Sequence, residues 1–313
     1  MKFIQARRQD TLRALIIRPS ALGDTLLLTP ALHHIAGRVA VTLLGRKPGI
    51  DFLRPFVTQC LDYEKGGWHT LFSEETNCED LPLPGVDTVI SFLSDPSRKI
   101  TKRLKACLEN IPVFTYPPFP PKQEHIHVAV YLASCLKEAG LPVNPEVAIE
   151  EARKKTLFEK NRIPRSQDMI VFHPGSGSKK KNCPPEFWIE LIKNKDLGIF
   201  QRRVLLLGPA EEEWHELFAK ELQGVAVKMV ISPDRHILLS LLKDASLYVG
   251  HDSGITHLAG LLGTSTIAVF KNTNPFQWAP LGPDVMVVCD VKSPQIIYRK
   301  IQEKVTDGKK VLP

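Results

Sequence analysis

The residues of this chain best suited to chemistry sit in three short loops, each at the end of an apolar run. The first is "SALGD", Ser20 to Asp24, where one carboxylate follows a glycine at the mouth of a helix-like segment. A lone acid in a first helical turn is explained by the helix dipole. It also suits a general base that takes the proton of a hydroxyl turning nucleophile. The second loop is "HPGSGSKKKN", His173 to Asn182. Small residues expose backbone N–H groups, and hydroxyls and ammonium groups add donors, a combination that suits a phosphate. It matches neither G-x-x-x-x-G-K-[ST] nor G-x-G-x-x-G. Lys179 and Lys180 read as a solvated basic turn. The third is "GHDSG", Gly250 to Gly254, followed by His257 one helical turn past Ser253. Ser253 and Gly254 put free amides at a helix start. Asp252 can cap that helix or accept from ligand hydroxyls, and His257 by itself reads as a satisfied structural histidine. Two further segments are weaker. "GPAEEEW", Gly208 to Trp214, opens a helix with acids, of which Glu211 can bind a hydroxyl. The aromatics of "PFQWAPLG", Pro275 to Gly282, read as core.

Short apolar runs alternating with amphipathic segments must position these loops. Strands are expected at 14–17, 39–44, 86–93 and 112–116, with helices over 25–35 and 124–139. Residues 141–168 break the pattern and read as a linker with a short helical piece. The alternation then restarts with strands at 169–173, 203–207, 225–231, 246–250, 265–270 and 285–289. Helices are expected over 185–195, from Ala210, and over 293–305. Repeated strand–helix alternation predicts an α/β protein with parallel sheets covered on both faces. Two such runs predict two doubly wound domains, with ligands beyond the carboxyl ends of the strands and a site in the cleft between domains.

The 313 residues suit two domains. Hydrophobic residues make up 43% and charged residues 24%, an ordinary globular balance. The net charge of +7 agrees with an anionic substrate, an acidic membrane surface or nucleic acid without choosing among them. The six cysteines have no metal-ligand or redox spacing and read as free thiols of a reducing cytosol. "MKFIQARRQD" lacks a signal-peptide core, so a cytoplasmic protein is expected, with room for peripheral contact at the inner membrane.

Taken together, "RPSALGDTLLLTPAL", "HPGSGSKKKN-P" and "DSGITHLAGLLGTSTIAVF" followed by "APLGP" resemble glycosyltransferase family 9, the heptosyltransferases of lipopolysaccharide core assembly. Residues 50–165 carry little of the resemblance. It implies a GT-B fold of two Rossmann-like domains. These would be an acceptor-side domain over 1–160, a nucleotide-sugar domain over 161–292, and a final helix over 293–313 crossing back to the first. It implies inversion at the anomeric carbon, ADP-heptose as donor substrate, an anionic lipid-linked saccharide of the inner core as acceptor, and neither a cofactor nor an essential metal. Carried over by motif position, Asp24 is the catalytic base, and Ser20 and Gly23 lie near the donor phosphates or sugar. Ser176, Gly177 and Lys181 meet the diphosphate. Asp252, Ser253, Gly254 and His257 hold the sugar and phosphate side, and Glu211 matches a family acid that binds the ribose. One departure stands out: Cys183 occupies a slot where many members carry an aromatic residue.

Other readings compete. A relative could use another nucleotide-sugar or build another surface glycan. A nucleotide-sugar 2-epimerase shares the two-domain scaffold, but it has no need of an acceptor base in "SALGD". A non-catalytic nucleotide-sugar binder would not need Asp24 beside all three loops. No aromatic–basic interleaving supports a nucleic-acid partner.

Overall fold

The computed structural model of the chain describes residues 11–72, 78, 81–121, 123–158 and 168–310. The expected absence of a leader in residues 1–10, the core of the expected linker at 159–167 and the last residues 311–313 lie outside them. The chain divides into two units, residues 1–124 with 129–148, and residues 125–128 with 149–313. The division therefore does not fall at the expected position of 160.

The first unit is built on β1 (Arg13–Arg18), β2 (Ala40–Gly45), β3 (Gln59–Asp62), β4 (Thr88–Ser91) and β5 (Val113–Thr115). They form one parallel sheet in the order β3-β2-β1-β4-β5. β1 lies at its centre and is buried from Ala14 to Arg18, as a strand covered on both faces must be. Its last residue breaks the apolar rule, since Arg18 is wholly buried. The edge strand β3, "QCLD", has no alternation and escapes sequence reading.

The helix expected over 25–35 is two helices, α1 (Leu22–Leu26) and α2 (Thr29–Ile35). Pro30 causes the break. It has no N–H to give the preceding turn and its ring crowds that turn, so it starts a new helix instead. Thr29 Oγ1 closes the junction by donating to the Leu26 carbonyl at 2.6 Å. α3 (Gly49–Leu53), α4 (Lys99–Cys107), α5 (Val128–Glu138) and α6 (Pro145–Lys154) follow. α6, of ten residues, lies in the stretch expected to be a linker with a short helical piece.

The free-thiol expectation needs correction for one pair, because Cys78 and Cys107 form a disulfide. Their separation of 29 residues is no motif; the partnership exists only because the end of α4 comes beside Cys78. Cys60, Cys135, Cys183 and Cys289 are free.

The second unit holds β6 (Met169–His173), β7 (Arg202–Leu207), β8 (Lys228–Ile231), β9 (Leu247–His251), β10 (Thr266–Phe270) and β11 (Val285–Cys289). All are parallel, in the order β11-β10-β9-β6-β7-β8. That is the doubly wound dinucleotide-fold order. Its helices are α7 (Pro185–Lys193), α8 (His215–Glu221), α9 (Arg235–Asp244), α10 (Gly254–Leu261), α11 (Pro275–Trp278) and α12 (Pro294–Lys310). The helix expected from Ala210 begins as a 3₁₀ turn, Pro209–Trp214, ahead of α8. α12, the segment expected to cross back, is anchored in the second unit: Ile297 and Ile301 are fully buried in its core. No helix among the described residues is long and apolar enough to cross a membrane.

Winding reverses at one place in each sheet, between β1 and β4 in the first and between β6 and β9 in the second. Loops at the carboxyl ends of such strand pairs part to opposite sides and leave a crevice for ligand.

Candidate active site

In the second unit the crevice is formed by the loops after β6 and β9, the two that carry the phosphate-suited motifs. They are bonded across it. Lys181 Nζ donates to Asp252 Oδ2 at 2.8 Å. The Cys183 amide donates to His251 Nε2 at 2.8 Å. Burial holds the His251 imidazole down at about 4, so it is neutral at pH 7, as an acceptor nitrogen requires. Asp252 is only 5% exposed, whereas Lys181 keeps 36% of its side chain in solvent. His257 Nε2 stands 3.7 Å from Asp252 Oδ1, an electrostatic contact too long for a hydrogen bond. Burial alone would raise the Asp252 carboxyl, but His257 and Lys181 outweigh it and pull it down to about 2. Asp252 is therefore an anion fixed under an accessible ammonium group.

Ser253 caps α10 with its side chain, accepting from Thr256 N at 3.3 Å. Gly254 opens the helix, so the amide-bearing end of α10 begins where the Lys181–Asp252 pair lies. Beneath the loop, the Tyr248 hydroxyl meets Thr256 Oγ1 at 3.0 Å. Thr256 Oγ1 in turn donates to the His251 carbonyl. Gly250 has to be glycine here, because a Cβ would stand 2.4 Å from the Tyr248 hydroxyl.

Ser176 is buried, and its hydroxyl is used inside the loop, donating to Asn182 Oδ1 at 2.6 Å. Gly177 is exposed at the loop tip with open space around its Cα. Glu211 is buried and turns back to accept from Gly208 N at 2.7 Å, capping its own 3₁₀ turn. Burial raises its carboxyl against that bond. Its Oε1 lies where a Cβ on Gly175 would intrude, at 1.8 Å, so Glu211 is seated against the phosphate-suited loop. Lys179 pairs with Glu213 at the surface, as a solvated basic turn should. Cys183, in the slot that differs from the family pattern, is buried in the core of this unit beside Phe187 and Trp188. Contrary to a core reading of "PFQW", Phe276 is 73% exposed, on the single turn of α11.

In the first unit, Ser20, Gly23 and Asp24 lie together just past β1. Asp24 is a first-turn residue of α1 and half-buried. The Ser20 amide bonds back to the Arg18 carbonyl at 2.9 Å, and Thr25 Oγ1 donates to the Ser20 carbonyl at 3.3 Å, so the loop is tied at both ends. Arg18 holds the Asp24 backbone, its Nε donating to the Asp24 carbonyl at 3.2 Å.

Sequence reasoning overlooked Arg18, Gly175, Asn182 and His251. Arg18 had a signal, a charge at the end of an otherwise apolar strand. His251 and Asn182 had none: His251 accepts from the Cys183 amide across the crevice, and Asn182 accepts from Ser176 within one loop.

Known structures share this architecture. The E. coli heptosyltransferase WaaC with ADP superposes at a TM-score of 0.68, with 17% identity, over 94% of this chain and all of that one. The E. coli ADP-heptose lps heptosyltransferase II gives 0.67, with 16% identity, over 95% of this chain and 100% of that one. The glycosyl transferase family 9 structure from Veillonella parvula gives 0.69, with 15% identity, over 95% and 98%. At those identities the likeness is one of fold, and the fold is GT-B. Residues 116–306 match the model of glycosyltransferase family 9 (heptosyltransferase), and the chain belongs to that family. It is a glycosyltransferase of the heptosyltransferase family. Lipopolysaccharide heptosyltransferase 1 of Campylobacter coli is 27% identical over 136 residues, a stretch that spans 42% of this chain and 39% of that relative.

Proposed function

We propose that the protein transfers a heptose from ADP-heptose to an anionic, lipid-linked saccharide of the lipopolysaccharide inner core, with inversion and without a metal. The observation that carries this reading is the pairing of Lys181 with the buried Asp252 at the mouth of α10. It leaves an ammonium group and free helix amides where a diphosphate's charge would grow. Ser253 and Gly254, next to Asp252 at the start of α10, border the same place.

In the step proposed, an acceptor hydroxyl oxygen bonds to the anomeric carbon as the bond from that carbon to the β-phosphate oxygen breaks. ADP leaves with the bonding electrons, and the hydroxyl proton passes to the Asp24 carboxylate. Lys181 and the amides of α10 stabilise the charge gathering on ADP. Glu211, beside Gly175, is the candidate partner of the ribose hydroxyls. The +7 charge suits an anionic acceptor and peripheral contact with an acidic membrane face.

A binding screen with ADP-heptose, GDP-mannose and UDP-glucose tests the donor. ADP-heptose is expected to bind at least about tenfold more tightly than the others, a difference of about 1.4 kcal/mol. Preference for either of the other two would reassign the donor, and no binding at all would remove the transferase reading.

A further inference from the structure

The guanidinium of Arg18 occupies the winding reversal of the first sheet, and three loops close on it. It stands between the rings of Phe92, just past β4, and Phe119, past β5, at 5.5 and 5.4 Å from their centroids. Its Nη1 donates to the Pro118 carbonyl at 2.8 Å. Its Nε donates to the Asp24 carbonyl at 3.2 Å. Its Nη2 is buried with no hydrogen-bond partner among the described residues. The proline-rich "YPPFPPK" segment thus supplies both a ring and a carbonyl to one cation.

Such a site is costly as packing. A buried cation with an unmet N–H is less stable than an apolar side chain of similar volume between the same two rings. Stability therefore does not explain an arginine here, but what it holds does. We propose that Arg18 is the positioning residue of the base: it fixes the α1 backbone at Asp24 and lays a buried cation beside that residue. The proposal rests on the reading of Asp24 as base. A planar guanidinium fits the role because it stacks on aromatic faces and still directs N–H groups along its edge.

The charge relations agree. Burial lowers Arg18 to about 10, and Asp24 is the strongest of the charges opposing that fall. The other groups facing Arg18 are Tyr131 and Cys135, both on α5. Burial raises Tyr131 and pushes Cys135 up to about 11, so both are neutral at pH 7. Glu138, further along α5, faces Cys135.

The test follows ADP release from ADP-heptose in the presence of lipopolysaccharide stripped of its heptoses, across pH, for Arg18→Met, Arg18→Lys, Phe119→Leu and Asp24→Ala. Arg18→Met is expected to lower kcat at least about tenfold with the KM for ADP-heptose within about twofold, and to move the acid limb of kcat up by about one pH unit. Arg18→Lys is expected to restore part of the rate and most of the acid limb. Phe119→Leu, which removes one stacking face and keeps the cation, is expected to give the same changes at smaller size; it also decides the matter if Arg18→Met does not fold. A folded Arg18→Met with wild-type kcat and acid limb would overturn the proposal. So would equal losses in Arg18→Met and Arg18→Lys with the acid limb unmoved, and so would a Phe119→Leu that changes neither quantity. Wild-type transfer by Asp24→Ala would defeat the base reading itself; loss of transfer there beside a normal Arg18→Met would defeat this inference alone.

Discussion

The two winding reversals are built with opposite polarity. In the first unit the cation is inside: Arg18 is wholly buried between two aromatic rings, and the acid near it, Asp24, is half-buried at the start of α1. In the second unit the acid is inside: Asp252 is buried, and the cation on it, Lys181, keeps a third of its surface in water. In the first unit the buried charge bonds the backbone of the accessible acid, and in the second it bonds the accessible charge itself. A transferase that removes a proton and releases a diphosphate needs both, a carboxylate for the first task and a cation for the second.

This contrast can be broken at either end. The largest effect is expected at the acid of the first unit. Asp24→Ala should slow transfer by roughly 10³-fold, the middle of the range for losing a general base; a stopped-flow or coupled assay of ADP release reads it. Next is the buried acid of the second unit. Because the Asp252 carboxyl sits at about 2 in the folded protein against an ordinary 3.8, it contributes stability that is present above the ordinary value and lost as pH falls toward 2. Asp252→Asn should therefore cost about 2 kcal/mol near neutral pH and flatten the loss of stability between about pH 4 and 2. Urea unfolding at a series of pH values checks both statements. Smaller still is Lys181→Ala, which should weaken ADP by about tenfold while leaving adenosine within about twofold, if the ammonium group serves the diphosphate as proposed. The least effect is expected at Lys179, whose surface partner Glu213 is worth little. Lys179→Ala should leave ADP affinity within about twofold by calorimetry. If it matched Lys181→Ala, the basic run would act as a diffuse charge and the contrast would blur.

Much of this was legible in the sequence because the signals are local. "HPGSGSKKKN" and "GHDSG" each follow a buried strand and precede a helix, so their place at the carboxyl edge of a parallel sheet follows from alternation alone. Helices and strands with strong periodicity, such as α7 and β10, lie within a residue or two of their expected bounds. What could not be read depends on partners distant in sequence. β3 is too short to alternate, and it is a strand because β2 offers it a parallel edge. The Cys78–Cys107 bond joins residues that no motif links. Pro30 is in plain view, yet the apolar pattern on both sides of it masks its power to split the 25–35 helix. Arg18 and His251 act at the reversals of the two sheets, and their roles depend on which strands lie side by side. Asp24 lies before the family-matched stretch of 116–306, so its assignment stands on "SALGD" and on the geometry past β1.

The central claim is that the two reversals divide the labour, the second gripping the diphosphate and the first holding the proton acceptor. Calorimetric titration of ADP into the wild-type protein, Asp24→Ala and Lys181→Ala tests it most directly. The account predicts wild-type affinity for Asp24→Ala and affinity weakened about tenfold for Lys181→Ala. Equal weakening in both variants, or none in Lys181→Ala, would contradict it.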